Sequence, residues 1–361
     1  MTKQTKNIIA ALILAVVISG FVLYAGQLPT TSMLRTSLQM GVIYALLAVS
    51  MNMLNGVTGQ FSLGLAGFMT LGAYTYAVLT IPVSVKDNVY YLYGVANCLK
   101  NVQLPIIPAL IIAGLVAAFF AFLIGMPVLR LKSDYFAIAT LGFAEVVRIV
   151  TASSWLNKVT NGSLGLNSIP KFNSYYAIFI VAIICIAIMF LIKNSTYGRA
   201  FKAIRDDEIA AEAMGINLQK HKILSFVISS FFAGIGGALL AMYLKAISAT
   251  TFTLATATYY ILLMVVIGGM GSYSGSIIAA FLVIFAKEWW LRGLDKPLII
   301  SGVQIPLLRS GFRMVIFSLI LMIVVLFFRQ GLMGDNELTP DFIKSLFKRK
   351  KKANKLEEVQ K

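Results

Sequence analysis

Apolar runs about as long as a bilayer is thick recur along the chain, and they limit what it can fold into. In order they are Ile8 to Tyr24, Ser37 to Leu54, Phe61 to Thr80, Ile106 to Ile124, Asp134 to Val150, Tyr175 to Ile192, Ile223 to Tyr243, Tyr259 to Ile267, Ile277 to Leu291 and Phe312 to Phe328. About 20 apolar residues in a helix cross a hydrocarbon core of ~30 Å. Hydrophobic residues make up 59% of the 361 and charged ones 12%, whereas a soluble domain carries roughly 45–50% and about 25%. A single soluble domain, a disordered chain and a disulfide scaffold are excluded. The expected fold is all-α: a polytopic membrane protein of about ten transmembrane helices. Lys3 and Lys6 before the first run also suit a signal peptide, but the run is long for an h-region, so a retained span is the preferred reading.

The net charge of +17 would suggest nucleic acid in a soluble protein. Here the positive-inside rule accounts for it without any nucleic-acid partner. Lys3 and Lys6, Arg130 and Lys132, the stretch Lys193 to Lys222 and the tail beyond Phe328 hold 19 of the 31 Lys and Arg residues. With ten crossings all of these fall on the cytoplasmic side, and so do both termini. That parity requires Asp134 to Val150 to cross despite Glu145 and Arg148. Residues 1–36 are then an N-terminal span with a short loop, 37–330 the transmembrane domain, and 331–361 a basic tail. The cluster Lys348 to Lys352 suits either anionic membrane lipid or plain solvation. Cys98 and Cys185 form no CxxC, and with one histidine in the chain no metal or redox centre is expected.

Several features fall at membrane depth. Gly64, Ala66, Gly67 and Gly72 in one run, and Ala233, Gly234, Gly236, Gly237 and Ala238 in another, allow helices to approach closely where no hydrophobic effect drives association. Asn55 to Gln60 and the octet Gly268 to Gly275 are glycine-rich. Such backbone is either a tight turn at the surface or a break that lines a buried or wet cavity, where free N–H and C=O groups can meet a zwitterionic solute. The octet also makes Tyr259 to Leu291 a candidate re-entrant segment. Candidate solute-pathway residues are therefore Asn55, Gly59, Gln60, Ser62, Gly64, Gly67, Gly268, Gly269 and Gly271. Glu145 joins them as a charged residue within a span, with helix-face pairing to Arg148 as the alternative. Glu288, beside Lys287 and the Trp289-Trp290 pair, reads as interfacial, and His221 as a solvated loop residue.

The stretch from Lys193 to Lys222 is the most informative polar segment. Its alanines, glutamates and methionine favour helix, Asp206 or Asp207 can cap it, and Gly215 can supply a left-handed stop. A two-turn cytoplasmic helix results, either a solvated loop or a knob for a partner's groove.

This segment resembles the coupling loop of bacterial ABC-importer permeases of the branched-chain amino-acid family, LivM-like members in particular. The resemblance rests on Gly198-Arg199-Ala200, Ala203-Ile204-Arg205 and Glu208 to Gly215, and continues in Asn55 to Gly64, Ala66-Gly67-Phe68, Gly72-Ala73-Tyr74, Asp134 to Ile138, Thr140 to Phe143 and Gly268 to Gly271. It covers roughly residues 37 to 330. It implies ATPase coupling through Gly198, Arg199, Ala200, Arg205, Glu208, Ala210, Ala211 and Gly215. Leu65 departs from the family, whose members often carry histidine there, and one residue is inserted between Glu208 and Ala210. The implied assembly has a second related permease, two ABC ATPase subunits and an extracytoplasmic solute-binding protein, and imports leucine, isoleucine or valine. No G-x-x-x-x-G-K-[ST] occurs in the chain, so it lacks a P-loop of its own. It is expected to be a transporter subunit rather than an enzyme, with no cofactor and ATP used by its partners. A urea or amide permease of the same family, an ion-coupled secondary transporter and a lipid-modifying membrane enzyme are the competing readings.

Overall fold

One helix is buried along most of its length. In the structure, a computed structural model, α1 runs Met33–Asn52 and continues as a π-helical turn, Met53–Val57. Nearly every residue from Ser37 to Val57 is buried, as expected of a helix that is apolar all round and lies inside a bundle. The structure describes residues 32–130, 133–290, 331–334 and 336–338, with isolated positions between 20 and 29 and between 299 and 322. The expected runs Ile8 to Tyr24 and Phe312 to Phe328 lie almost wholly outside the described residues. So do the Lys348 to Lys352 tail and the side chains of Trp289 and Trp290.

The remaining helices are α2 (Leu65–Thr80), α3 (Ile106–Val128), α4 (Ser133–Ala152), α5 (Tyr175–Asn194), α6 (Thr196–Asp206), α7 (Glu208–Ala213), α8 (Leu218–Leu244), α9 (Tyr259–Gly268) and α10 (Tyr273–Phe285). Outside them lie shorter helical turns and one two-residue antiparallel ladder, Ile299–Ile300 with Val303–Gln304. Their ends follow local chemistry. Ser174 caps α5 and Asn217 caps α8, each accepting a backbone N–H of the first turn. Pro105 and Pro108 suit the start of α3, where amide donors have no helical partner anyway.

Among the described residues, five helices are long and apolar enough to cross a membrane: Met33–Val57, Ile106–Val128, Tyr135–Ala152, Tyr175–Asn194 and Leu218–Leu244. Leu65–Thr80 and Leu254–Gly268 are apolar but shorter. Length therefore accounts for five of the ten expected crossings. The shorter helices adjoin irregular backbone at 58–64 and 269–272.

α8 lies against α2 and α3, and α1 against α10, α8 and α5. The α2–α8 contact depends on missing side chains. A Cβ on Gly72 would sit 2.1 Å from the Gly234 carbonyl oxygen, and one on Gly237 2.3 Å from that of Met69. The small-residue clusters thus serve helix packing, as expected. At one end of the bundle, α6 and α7 form a charged layer. At the other, loops interlock: Tyr90 donates its hydroxyl to Val159 O, Asn161 its amide to Val89 O, and Leu166 bridges Ile247.

Gly72→Val is expected to destabilise the bundle by at least the ~1–3 kcal/mol typical of overpacking, because the obstructing atoms are backbone. Gly142→Ala, which enters open space, is the control. Thermal unfolding in detergent compares the two.

Candidate functional site

The irregular backbone expected at the two glycine-rich stretches is present, and the two stretches meet. α9 ends at Gly268 and α10 begins at Tyr273, so the octet breaks a helix at 269–272. Gly269 (φ +112°) and Gly271 (φ +104°) hold conformations that L side chains rarely adopt. Asn52 in α1, 0% exposed, fills the break. Its Nδ2 donates to Gly269 O (3.1 Å), Ser272 O (2.9 Å) and Ser276 Oγ (2.6 Å), and its Oδ1 accepts from Gly271 N (2.7 Å). A Cβ on Gly56 would fall 2.3 Å from Gly271 N. Gly268 lies equally close to Gly275, where a Cβ would meet its carbonyl carbon at 2.5 Å.

The second stretch is not a tight turn. Asn55 and Gly56 lie in the π-helical end of α1, and the chain is irregular only from Thr58 to Gly64. Side chains of this stretch and of other helices satisfy its backbone. Ser62 N donates to Asn55 Oδ1, while Asn55 Nδ2 donates to Ser62 O. Leu63 N donates to Thr140 Oγ1 in α4, and Thr258 Oγ1 receives Ala66 N while donating to Leu63 O. Buried backbone polar groups without water require such partners. Gly64 and Gly67 bring this region against α4: a Cβ on Gly64 would lie 3.1 Å from Thr140, and one on Gly67 2.8 Å from Ala144 Cα. Beside Asn55 and Ser62 is a cavity of about 10 Å³, also lined by Ser229 and Ser230. It has room for one water and no larger solute. Gln60 is 8% exposed, and among the described residues neither polar atom of its carboxamide has a hydrogen-bond partner.

The charged layer is tied to both stretches. Arg205 of α6 donates through Nη1 to Gly56 O (3.2 Å), and its side chain packs at Gly59 (φ +75°). Its Nε also meets Asp206. Asp207 supplies the expected cap of α7, accepting from Ile209 N (2.9 Å) and Ala210 N (3.1 Å), and Gly215 (φ +84°) supplies the expected stop. Gly198 is buried against the end of α5, Ala211 is buried and Ala200 half-buried, whereas Arg199 and Ala210 are exposed. Glu208 pairs with Lys222 at 2.6 Å. On α7 and the turn after it, Ile209 and Met214 are each 83% exposed.

Lys193, at the end of α5 and 4% exposed, donates to Gly271 O and lies over the Tyr273 ring at 4.4 Å. It also pairs with Glu337. That carboxylate accepts the backbone N–H groups of Tyr273 and Ser274, each at 2.9 Å, and thereby caps α10. Leu332 N and Met333 N donate to Ile267 O and Gly268 O, capping α9. The segment 331–338 therefore closes both sides of the break. Burial alone would raise the Glu337 carboxyl, but Lys193 and Ser274 outweigh it and hold it below the ordinary glutamate range.

Glu145 and Arg148 pair with each other on one face of α4, both half-buried, so Glu145 stands apart from the Asn52 junction. Among the described residues no cluster of His, Cys, Asp or Glu is suited to a metal ion.

A family model described as the branched-chain amino acid transport system permease component matches residues 33–328. The chain belongs to this permease family. It is 32% identical over 320 residues to the high-affinity branched-chain amino acid transport system permease protein LivM of Escherichia coli K12, covering 79% of this chain and 68% of that protein. A probable LivM of Methanocaldococcus jannaschii is 24% identical, covering 84% and 94%. The guanosine ABC transporter permease protein NupQ of Bacillus subtilis is 23% identical, covering 73% and 83%. No solved structure matches. Like its relatives, this family member is a multi-pass membrane protein.

Asn52, Lys193, Thr258 and Glu337 were not singled out by the sequence. The only signal was a lone Asn or Lys within an apolar run. Asn52→Leu keeps the volume but strands the Gly271 amide, which is expected to lower stability by about 1–3 kcal/mol, read by thermal unfolding. Acid tests Glu337 separately. Its folded pKa is depressed, so the stability it contributes is present above the unfolded value of about 4.3. That stability is lost as pH falls through the lower folded value. Glu337→Gln is expected to flatten this acid limb in a pH series of unfolding temperatures.

Proposed function

We propose that this chain is a transmembrane permease subunit of an ATP-driven importer for branched-chain amino acids in a bacterial inner membrane. The family match across 33–328 carries this reading, and the names of the LivM relatives supply the solute class. The assembly would pair it with a second related permease, two ABC ATPase subunits and an extracytoplasmic binding protein. Ten crossings with both termini cytoplasmic remain the topology that best distributes the basic residues.

In this reading α6 and α7 form the coupling element. Two bare apolar side chains, Ile209 and Met214, on a capped two-turn helix suit a groove in the ATPase subunit. Closure of the ATPase pair would move α7, and α6 would carry the displacement to Gly56 through Arg205 and to the 269–272 break through Lys193. Because Asn52 joins α1 to that break, inward- and outward-open states would differ in how α1 meets α9 and α10. Such a transition needs contacts that differ between the states. The single-water cavity at Asn55 and Ser62 fits a closed pathway. An ion-coupled transporter would want an acid free to titrate on the pathway, whereas Glu145 is bound to Arg148.

In vesicles holding the assembled importer, leucine uptake is expected to require ATP. Ile209→Asp together with Met214→Asp is expected to reduce uptake at least tenfold while leaving the chain folded. Uptake by this chain alone, with no ATPase present, would overturn the reading.

A further inference from the structure

A second, larger cavity of about 300 Å³ opens at the end of the bundle opposite α6 and α7. It lies between the start of α1, the turn that begins α5 and the end of α8. Arg35, Lys171 and Lys245 line it, and among the described residues no acidic one does. We propose that it is a receiving site for the carboxylate of the amino-acid solute, a proposal that rests on the importer reading above.

The cations differ in how they are held. Arg35 donates through Nη1 to Leu28 O (2.9 Å), and its guanidinium carbon lies 4.6 Å from the centre of the Tyr175 ring. These contacts fix the plane of the guanidinium while its remaining N–H groups can serve a ligand. A fixed guanidinium suits a carboxylate, which it can bind with two parallel hydrogen bonds. Lys245 stands in the left-handed region at φ +62°, uncommon for a residue with a side chain. Lys171 stands at the exposed rim.

Below the rim the wall turns apolar, with Phe172, Ile178 and Met242. A cationic mouth over an apolar floor matches a solute with a carboxylate at one end and a branched aliphatic chain at the other. The ammonium group would meet neutral acceptors such as the Gln39 carboxamide. The volume lies at the small end of ligand sites, which suits one amino acid rather than a peptide.

The cavity also shares its two principal helices with the small one at Asn55. Gln39 of α1 and Met242 of α8 line the large cavity, and Met51 and Ser230 of the same helices line the small one. On each helix the step is about 12 residues, or ~18 Å at 1.5 Å per residue. Between them Gly236 is pressed against Leu47, where a Cβ would come within 2.5 Å. The two cavities are the ends of one closed α1–α8 seam.

The test uses the assembled permease–ATPase complex without its binding protein. Cys98, the exposed cysteine among the described residues, is replaced by serine, and Asn173→Cys places a thiol at the cavity wall. Protection of that thiol from a methanethiosulfonate reagent is titrated with leucine, 4-methylpentanoate and isoamylamine. Leucine and 4-methylpentanoate are expected to protect and isoamylamine, which lacks the carboxylate, is not. Lys245→Gln and Arg35→Gln are each expected to raise the half-protecting leucine concentration at least tenfold. Lys245→Gln is the decisive variant if Arg35→Gln fails to assemble. Equal protection by isoamylamine, or no change in Lys245→Gln, overturns the proposal. Absence of leucine protection in a complex that imports leucine on ATP once the binding protein is added back also overturns it. Loss of ATP-driven leucine uptake by the unmodified complex with its binding protein added back would instead sink the importer reading.

Discussion

Backbone that leaves the helix inside a membrane needs hydrogen-bond partners from the protein, because hydrocarbon supplies none. Asn52 meets that need for the 269–272 break, with both ends of its carboxamide engaged at once. The segment 58–64 has the same need and meets it through Asn55, Thr140 and Thr258. Both irregular segments can thus lie buried, and both are fastened to α1 by its own amide side chains. The buried position of α1 follows from this: it is the helix to which the unwound parts of the chain are attached.

The charged layer reaches the same place from the other side. Arg205 holds Gly56, Lys193 holds Gly271, and Glu337 caps the helix that follows. A displacement of α6 and α7 therefore acts on two buried carbonyls of broken helices rather than on a continuous helix wall. A hydrogen bond at a break can be exchanged for another at modest net free energy, whereas bending an intact helix disrupts its ladder. The glycines at 269 and 271 leave room for such an exchange.

Much of the fold was legible in the sequence where the signal is local. Apolar length placed α3, α5 and α8 to within a few residues. Asp207 and Gly215 bounded α7, and the octet of small residues marked the break. What was not legible is pairing over distance. Asn52 and Gly269 are 217 positions apart, and one asparagine in an apolar run carries no period or spacing that points to its partner. Glu337 lay in a tail that read as merely polar. Arg35, Lys171 and Lys245 are far apart in the sequence, and only the fold brings them to one cavity. The start of α2 was placed four residues early because Phe61 and Leu63 are apolar enough to extend the run, although their backbone is held by side chains instead of helical bonds.

Ile209 and Met214 carry a consequence for biogenesis. Each side chain is almost fully bare, although the described helices behind them are closely packed. If α7 docks on an ATPase subunit as proposed, a copy of the chain made in excess of its companions displays an adhesive spot that a matched copy hides. Chaperones and proteases that recognise exposed aliphatic side chains could then tell the two apart, so the proposed coupling contact would also provide a means of counting subunits.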